Sequence, residues 1–420
     1  MAIPPSTKLL GILAIYVMKF AIEGGERVKI DFPIDKEMMN NETIEEVAYV
    51  LKKGYYSMFD NDKVRQFEEK FSEFNESKYG IAVSNCTSAL TATMKAMGIT
   101  YGDEVILPAY TYAATLMAVE ATGAKPVFAD IDFSVTINPR EVEKKITKKT
   151  KAIIAVHMFG NPAKMDELKK FKIPIIEDCA HATGAKYNGI KVGRELGCHS
   201  FGETKILRIG EGGMITTNNE EIARKAKIIR HEGEVFKEYN QSTTEVEANI
   251  NDVLYGITYE QGFNYRMMPI QAAIGIKKLE KINDFIKKMN SNARYLLKNL
   301  NMMEIVFQKD NDEGRVYNNL PCLVQSQKFN RDALFIALAS QGIPVGVYFP
   351  NNFSKECLRS QEFCDSHIIF PTYPSMEKEH LDLVIEEVKK VIEELREKKI
   401  NIKEFMNKKV QYYSAIHVTI

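Results

Sequence analysis

Lys205 stands in His199-Ser200-Phe201-Gly202-Glu203-Thr204-Lys205, just ahead of the turn Gly210-Glu211-Gly212-Gly213. A lysine between a strand end and a glycine-rich turn lies in a crevice and not on a solvated helix, which suits a Schiff base. Desolvation and a nearby cation lower a lysine's pKa and make its amine nucleophilic. Ser200, five residues earlier, offers a hydroxyl to a phosphate. Most lysines in a chain are surface charges, and Lys205 taken alone has no better claim.

Three further stretches add to it. In IPIIEDCAHATGA (173–185), two acids close a buried strand, where ligands bind in parallel sheets. A carboxylate there can keep a pyridine nitrogen protonated and so make the ring an electron sink. Asp178 suits that role, and His181 can touch a phenolic oxygen on the same ring; a helix cap and a satisfied surface histidine are equally good uses of the pair. In Ser84-Asn85-Cys86-Thr87-Ser88-Ala89-Leu90 a strand gives way to a helix, whose first N–H groups and positive dipole end favour phosphate. Thr87 and Ser88 add hydroxyls, although an isolated match of this kind is more often an ordinary N-cap. Tyr112, in Pro108-Ala109-Tyr110-Thr111-Tyr112-Ala113-Ala114-Thr115, follows a strand end and can stack on a flat heterocycle, though core packing is the commoner use of tyrosine.

Short Val- and Ile-rich runs must position these residues. They are GIAVS (80–84), EVILP (104–108), PVFAD (126–130), KAIIAVH (151–157), IPIIED (173–178) and GGMITT (212–217). Fully apolar strands separated by helical stretches indicate a parallel sheet buried on both faces, an α/β fold. Ahead of them, Thr43 to Lys53 reads as an amphipathic helix with Thr43 and Glu46 as a capping box, and Val64 to Phe74 as a second helix. Ile270 to Leu279 and Ile282 to Leu300 suit long helices leading away from the large domain. VYNNLPCLV and IPVGVYF look like strand pieces of a smaller α+β domain, and Glu377 to Glu397 a terminal helix.

The order and spacing of these stretches closely resemble the DegT–DnrJ–StrS family of sugar aminotransferases, from about Phe20 to Leu395. The marks are AVSNCTSAL, GDEVILPAYTYAAT, GAKPVFADID, KAIIAVHMFGNPAKMDEL, IIEDCAHATGAKYNGIKVG, SFGETKILRIGEGGMITT and GFNYRMMPIQAAIG. The resemblance implies the fold-type-I aspartate-aminotransferase architecture: a large domain with a mostly parallel central sheet flanked by helices, and a smaller C-terminal domain. It implies pyridoxal 5'-phosphate as cofactor, with pyridoxamine 5'-phosphate as the other form in the cycle. It implies Lys205 as Schiff-base lysine and proton shuttle, Asp178 on the pyridine nitrogen, Tyr112 stacked on the ring and His181 near its oxygen. Cys86, Thr87 and Ser200 would grip the phosphate. Members most often have glycine where Cys86 stands, and a backbone amide serves in either case. Asn264 would reach the phosphate in a neighbouring subunit, which makes the expected unit a homodimer with shared sites. The implied reaction moves an amino group from glutamate or glutamine to a keto-sugar, nucleotide-linked, or to a keto-cyclitol. FAIEGGERV is similar to the branch with aminocyclitol aminotransferases and 3-amino-5-hydroxybenzoate synthases.

Other functions stay open at this point. Relatives that act as sugar dehydratases carry histidine in place of Lys205, which argues against that chemistry. An aromatising dehydratase of the aminohydroxybenzoate type keeps the lysine. A non-catalytic cofactor-binding regulator would not need Lys205, Asp178 and Ser200 together, and a purely structural module still less. Acceptor specificity is expected in Glu232 to Gln261 and around Tyr348 to Lys355.

Composition sets the remaining bounds. Lys plus Arg and Asp plus Glu number 56 each in 420 residues, so nothing in the charge argues for nucleic acid or membrane. Six scattered cysteines match neither a metal site nor a disulfide framework, which points to a reducing cytoplasm. Leu9 to Met18 resembles a signal-peptide core, but it is too short to span a bilayer and Lys19 interrupts it; Met18 is an alternative start. The expected division is an arm at 1–42, the large cofactor-binding domain at 43–280, the small domain at 281–397 and a tail at 398–420.

Overall fold

The computed structural model describes residues 40–54, 56–58, 62–233, 261–349 and 352–397. Most of the arm, Met18, most of the Glu232 to Gln261 stretch and the tail lie outside the described residues.

Helix α1 (Asn41–Lys53) begins two residues before the expected start. Its cap is Asn40, whose side chain accepts from the Thr43 N–H at 2.9 Å and from the Thr43 hydroxyl at 2.6 Å. The Thr43–Glu46 capping box is therefore corrected: Thr43 is already inside the first turn and buried, and an asparagine with extended backbone precedes it. Gly54, at φ 71°, ends the helix by turning its N–H back to Leu51. Helix α2 (Lys63–Phe74) follows, with Phe67 and Phe71 turned into the core.

The large body then alternates strands and helices: β1 (Tyr79–Val83), α3 (Cys86–Ala96), β2 (Glu104–Pro108), α4 (Ala113–Glu120), β3 (Lys125–Ala129), α5 (Pro139–Lys145), β4 (Thr150–Val156), α6 (Met165–Lys169) and β5 (Ile175–Asp178). A two-stranded hairpin, β6 (Lys186–Tyr187) with β7 (Ile190–Lys191), precedes β8 (Leu196–Ser200), β9 (Gly213–Thr217) and α7 (Glu220–Arg230). Seven strands form one sheet in the order β1-β9-β8-β5-β4-β2-β3. Only β9 runs against its neighbours; β8, β5, β4, β2 and β3 are parallel. The sheet is the mostly parallel one expected, and its buried strands are apolar on both faces. Strand β8 was not marked by the periodicity, because LGCHS has none of the Val and Ile that flag the others.

Helix α8 (Pro269–Leu279) packs against α1 and α2 and does not lead away, and Gly275 lies flat on the Phe67 ring. The chain leaves the large body in α9 (Ile282–Asn299). A three-stranded antiparallel sheet follows, β10 (Ile305–Phe307), β11 (Leu320–Val324) and β12 (His367–Phe370), with α10 (Arg331–Gln341), α11 (Leu358–Ser366) and α12 (Lys378–Glu397). Its own core joins Leu296, Leu334, Phe370, Val388 and Ile392. The IPVGVYF stretch is not a strand: it makes one bridge, Gly346 to Ile369, and Pro344 supplies no N–H to extend it.

The junction of the two parts is polar and tightly fitted. The Tyr110 hydroxyl donates to the Tyr348 carbonyl at 2.9 Å, and Asp130 accepts from the Arg359 and Ser360 N–H groups at 2.9 and 2.8 Å. Fully buried Arg315 donates to the Phe159 carbonyl at 3.4 Å, and Gln308 donates to the Met158 carbonyl at 3.3 Å. Gly160 has φ 79°, and a Cβ there would sit 1.7 Å from the Val316 carbonyl, so only glycine lets the two segments meet.

Candidate active site

Topology gathers the four chemical stretches. Strands β1, β2, β5 and β8 point the same way, so their C-terminal ends share one edge of the sheet. Off those ends come Asn85–Cys86, Tyr112, Asp178 and Ser200, and the loop from β8 to β9 carries Lys205 back over the same edge. This is where ligands bind in such sheets.

Asp178 is 5% exposed. The Thr115 hydroxyl donates to Oδ2 at 3.0 Å and the Ala180 N–H donates to Oδ1 at 3.1 Å. Cys86 Sγ lies 3.9 Å from Oδ1 and 3.5 Å from the Cys198 carbonyl. Burial raises the Asp178 pKa, while the two hydrogen bonds and the Lys205 charge pull it down. Lys205 is the mirror case: burial lowers its pKa, and Asp178, Cys86 and Glu211 resist. Burial also pushes the Cys86 thiol well up, which keeps it neutral. Burial thus disfavours the charged form of both groups.

Strand alternation separates the two neighbouring acids. Glu177 points to the other face, where its carboxylate meets His157 Nε2 at 2.9 Å and takes no part in the pocket. His181 is buried, with Nδ1 accepting from the Phe159 N–H at 3.3 Å. That bond puts the ring proton on Nε2, leaving Nε2–H as a donor. Burial, and then the Lys205 charge, hold His181 neutral, well below its usual pKa. Its ring lies near-parallel to Phe349, with centroids 6.0 Å apart. The same Phe349 ring is 5.2 Å from that of Tyr112, which is half exposed at the N-cap of α4.

The start of α3 leaves backbone donors open at the same sheet edge. Asn85 caps it by accepting from the Ser88 N–H at 2.8 Å, so the Cys86 and Thr87 N–H groups lie outside the helix's own bonding. Gly213 makes room beneath: a Cβ on it would fall 2.5 Å from the Asn85 carbonyl carbon and 2.9 Å from the Cys86 nitrogen. Gly213→Ala should therefore shift the helix start, destabilise the protein by about 1–3 kcal/mol and weaken phosphate binding together. A thermal melt with a cofactor titration checks both.

Ser200 ends β8 beside Gly213 of β9, 9% exposed. Asn264 is exposed and bridged to His231, and its neighbour Tyr265 accepts from the Ser84 N–H at 2.8 Å. Asn264 therefore lies one residue from a direct hydrogen bond to the β1–α3 turn. Two residues escaped the sequence reading. Thr115 lies within GDEVILPAYTYAAT, but only the fold turns it onto Asp178. Arg208, 8% exposed, donates from Nε to the Lys205 carbonyl at 2.7 Å. A charge inside the apolar run ILRI was the signal that could have found it.

Among the described residues no group of His, Cys, Asp and Glu could hold a metal ion, and no helix is long and apolar enough to cross a membrane.

Comparison with known proteins gives the same direction. An uncharacterized protein of Methanocaldococcus jannaschii is 34% identical, aligned over 87% of this chain and 98% of its own. GDP-perosamine synthase of Escherichia coli O157:H7 is 32% identical, over 81% and 91%. The crystal structure of an aminotransferase from Psychrobacter cryohalolentis superposes with a TM-score of 0.77 at 27% identity, over 86% of this chain and 98% of that one. The model of the DegT/DnrJ/EryC1/StrS aminotransferase family matches residues 37–389. With that span and this geometry, the chain belongs to the DegT/DnrJ/EryC1/StrS family and is a pyridoxal-phosphate-dependent aminotransferase.

Proposed function

We propose that this aminotransferase carries an amino group from glutamate or glutamine to a nucleotide-linked keto-sugar, releasing a 2-oxo acid and an amino-sugar. The observation that carries the reading is the Lys205–Asp178 pair in one buried pocket at the sheet edge, beside the open N-terminus of α3. The nucleotide-linked acceptor is drawn from the GDP-perosamine synthase relative, whose name states a GDP-linked product.

The side chains fit pyridoxal phosphate. When bound, it supplies the electron sink that stabilises a carbanion at the donor's α-carbon. Asp178, buried at the sheet edge, would hold a proton on the pyridine nitrogen. The α3 N–H groups, Thr87 and Ser200 would take the phosphate, Tyr112 would stack on the ring, and the His181 Nε2–H would donate to its oxygen. Lys205, whose charge burial disfavours, would be the amine that attaches the group and, once free, the general base for the donor's α-proton.

Absorbance of the loaded protein tests the proposal. Glutamate or glutamine should bleach the cofactor band, and a nucleotide-linked keto-sugar should restore it. If neither donor changes the spectrum, transamination from these donors is wrong.

We further propose a homodimer in which Asn264 completes the partner's phosphate seat. Its exposure, and its place beside the residue that holds the β1–α3 turn, support this. Asn264→Ala should raise the cofactor dissociation constant about tenfold, one hydrogen bond to a charged group. Mixing Lys205→Ala with Asn264→Ala protein should yield a fraction of dimers with one intact site. Affinity for cofactor that is unchanged in Asn264→Ala would remove the residue from the site.

A further inference from the structure

Phe159 sits in the left-handed backbone region, at φ 57° and ψ 27°. A residue with a side chain keeps that conformation only where its surroundings impose it. Here the surroundings are the segment between β10 and β11. The Met158 carbonyl accepts from Gln308 Nε2 at 3.3 Å, the Phe159 carbonyl from Arg315 Nη2 at 3.4 Å, and the Gly160 carbonyl from the Val316 N–H at 3.2 Å. Three consecutive carbonyls of one turn are thus held by one stretch of chain, which begins 150 residues later.

The same turn reaches the site. The Met158 carbonyl and the Phe159 N–H are opposite ends of one rigid peptide plane, and that N–H donates to His181 Nδ1 at 3.3 Å. Gln308 is 8% exposed and Arg315 1%. Only one setting of the Gln308 amide fits. Its Oε1 accepts from Arg315, which has donors alone, and its Nε2 donates to the Ser134 and Met158 carbonyls, which can only accept. Arg315 is held in turn by an ion pair with Asp310 and by the Tyr317 ring, 4.3 Å from the guanidinium carbon.

We propose that Gln308 and Arg315 are positioning residues for His181, and that through the Met158–Phe159 peptide they fix which ring nitrogen carries the proton. With an N–H pinned on Nδ1, the proton stays on Nε2, and Nε2 is a donor. A plane free to turn away would let Nδ1 take the proton. Nε2 would then be an acceptor, a repulsive neighbour for a ring oxygen that carries negative charge. The Asn161 N–H also lies on the Met158 carbonyl, at 3.1 Å, so losing Gln308 loosens the plane without releasing it. The proposal rests on the reading of His181 as a donor to the cofactor, and goes beyond it by naming what holds the ring in that form.

The test compares wild type with three variants. Q308M keeps the length of the side chain without its donor, R315Q leaves Gln308 without its orienting fork, and R315K restores a donor to Gln308. Ring-15N histidine NMR on the cofactor-free protein reads the tautomer, with His181→Gln identifying one signal among seven histidines. Wild type should show the Nε2–H form alone. Q308M and R315Q should show about one-fifth of the other form, as for one weakened hydrogen bond, and R315K should return most of the way. In the loaded Q308M and R315Q proteins the pH midpoint of the cofactor band should rise by up to about one unit, because a weakened donor leaves the ring oxygen more basic. An unchanged tautomer in Q308M and R315Q overturns the proposal, even if both melt early, as a purely structural strut would. So does a wild type that already mixes the two forms. If Q308M fails to fold, R315Q and R315K carry the same comparison. A tautomer that shifts while the cofactor band stays put supports the clamp and removes His181 from the ring oxygen, which is a failure of the earlier reading alone.

Discussion

Lys205→Ala should lower transamination by about 10⁴-fold, because one side chain is both the nucleophile and the general base. Borohydride reduction followed by peptide mapping should find the cofactor linked to Lys205 in wild type and to no lysine in the variant. The fold should survive. Its backbone N–H is used in a turn to Gly202, which alanine keeps, and burial disfavours the charge that the variant removes. A melting temperature within a few degrees of wild type, beside an inactive protein, is the expected pair of results. A variant that keeps turnover within tenfold, or a link to another lysine, would move the chemistry away from this pocket.

Asp178→Asn should separate function from stability. Turnover should fall about 10²–10³-fold, the usual scale for removing one group that stabilises developing charge, since asparagine cannot hold the pyridine nitrogen protonated. The cofactor-free protein should respond in the opposite sense. The folded-state pKa of Asp178 is raised by burial, so the folded chain binds this proton more tightly than the unfolded chain. The favourable contribution is then fully present below the unfolded value, about 4, and is lost as pH rises through the raised value. At neutral pH a buried carboxylate weighs against folding, and Asp178→Asn removes it. Cofactor-free Asp178→Asn should therefore melt above wild type at pH 7, and the gap should close on acidification toward pH 4. An equal or lower melting temperature at pH 7 would mean that the Thr115 and Ala180 hydrogen bonds outweigh the desolvation.

Side-chain chemistry and periodicity reach a long way in this chain. The apolar runs mark six of the seven strands of the main sheet, because a parallel sheet covered on both faces requires unbroken Val and Ile segments. The seventh, β8, is flanked by neighbours that bury it whatever its composition, so its β propensity carries no signal. Asn40 rather than Thr43 caps α1 because the choice depends on which residue keeps an extended backbone, and local pattern does not decide that.

For the site, the residue types were legible and the partnerships were not. Lys205, Asp178, His181 and Tyr112 follow from strand ends, a glycine-rich turn and motif order. Several contacts come from residues far apart in the chain. Thr115 lies 63 residues from Asp178, and Cys86 lies 92 from it. Glu177 and Asp178 look equivalent in sequence, and only the pleat of β5 sends one to His157 and the other into the pocket. Arg208 shows the same limit from the other side. Its position three residues past the lysine is in the sequence, but its burial is decided by packing. The chain's local chemistry determines which groups are present and which sheet edge they leave from; long-range packing decides which are desolvated, and with that their charge.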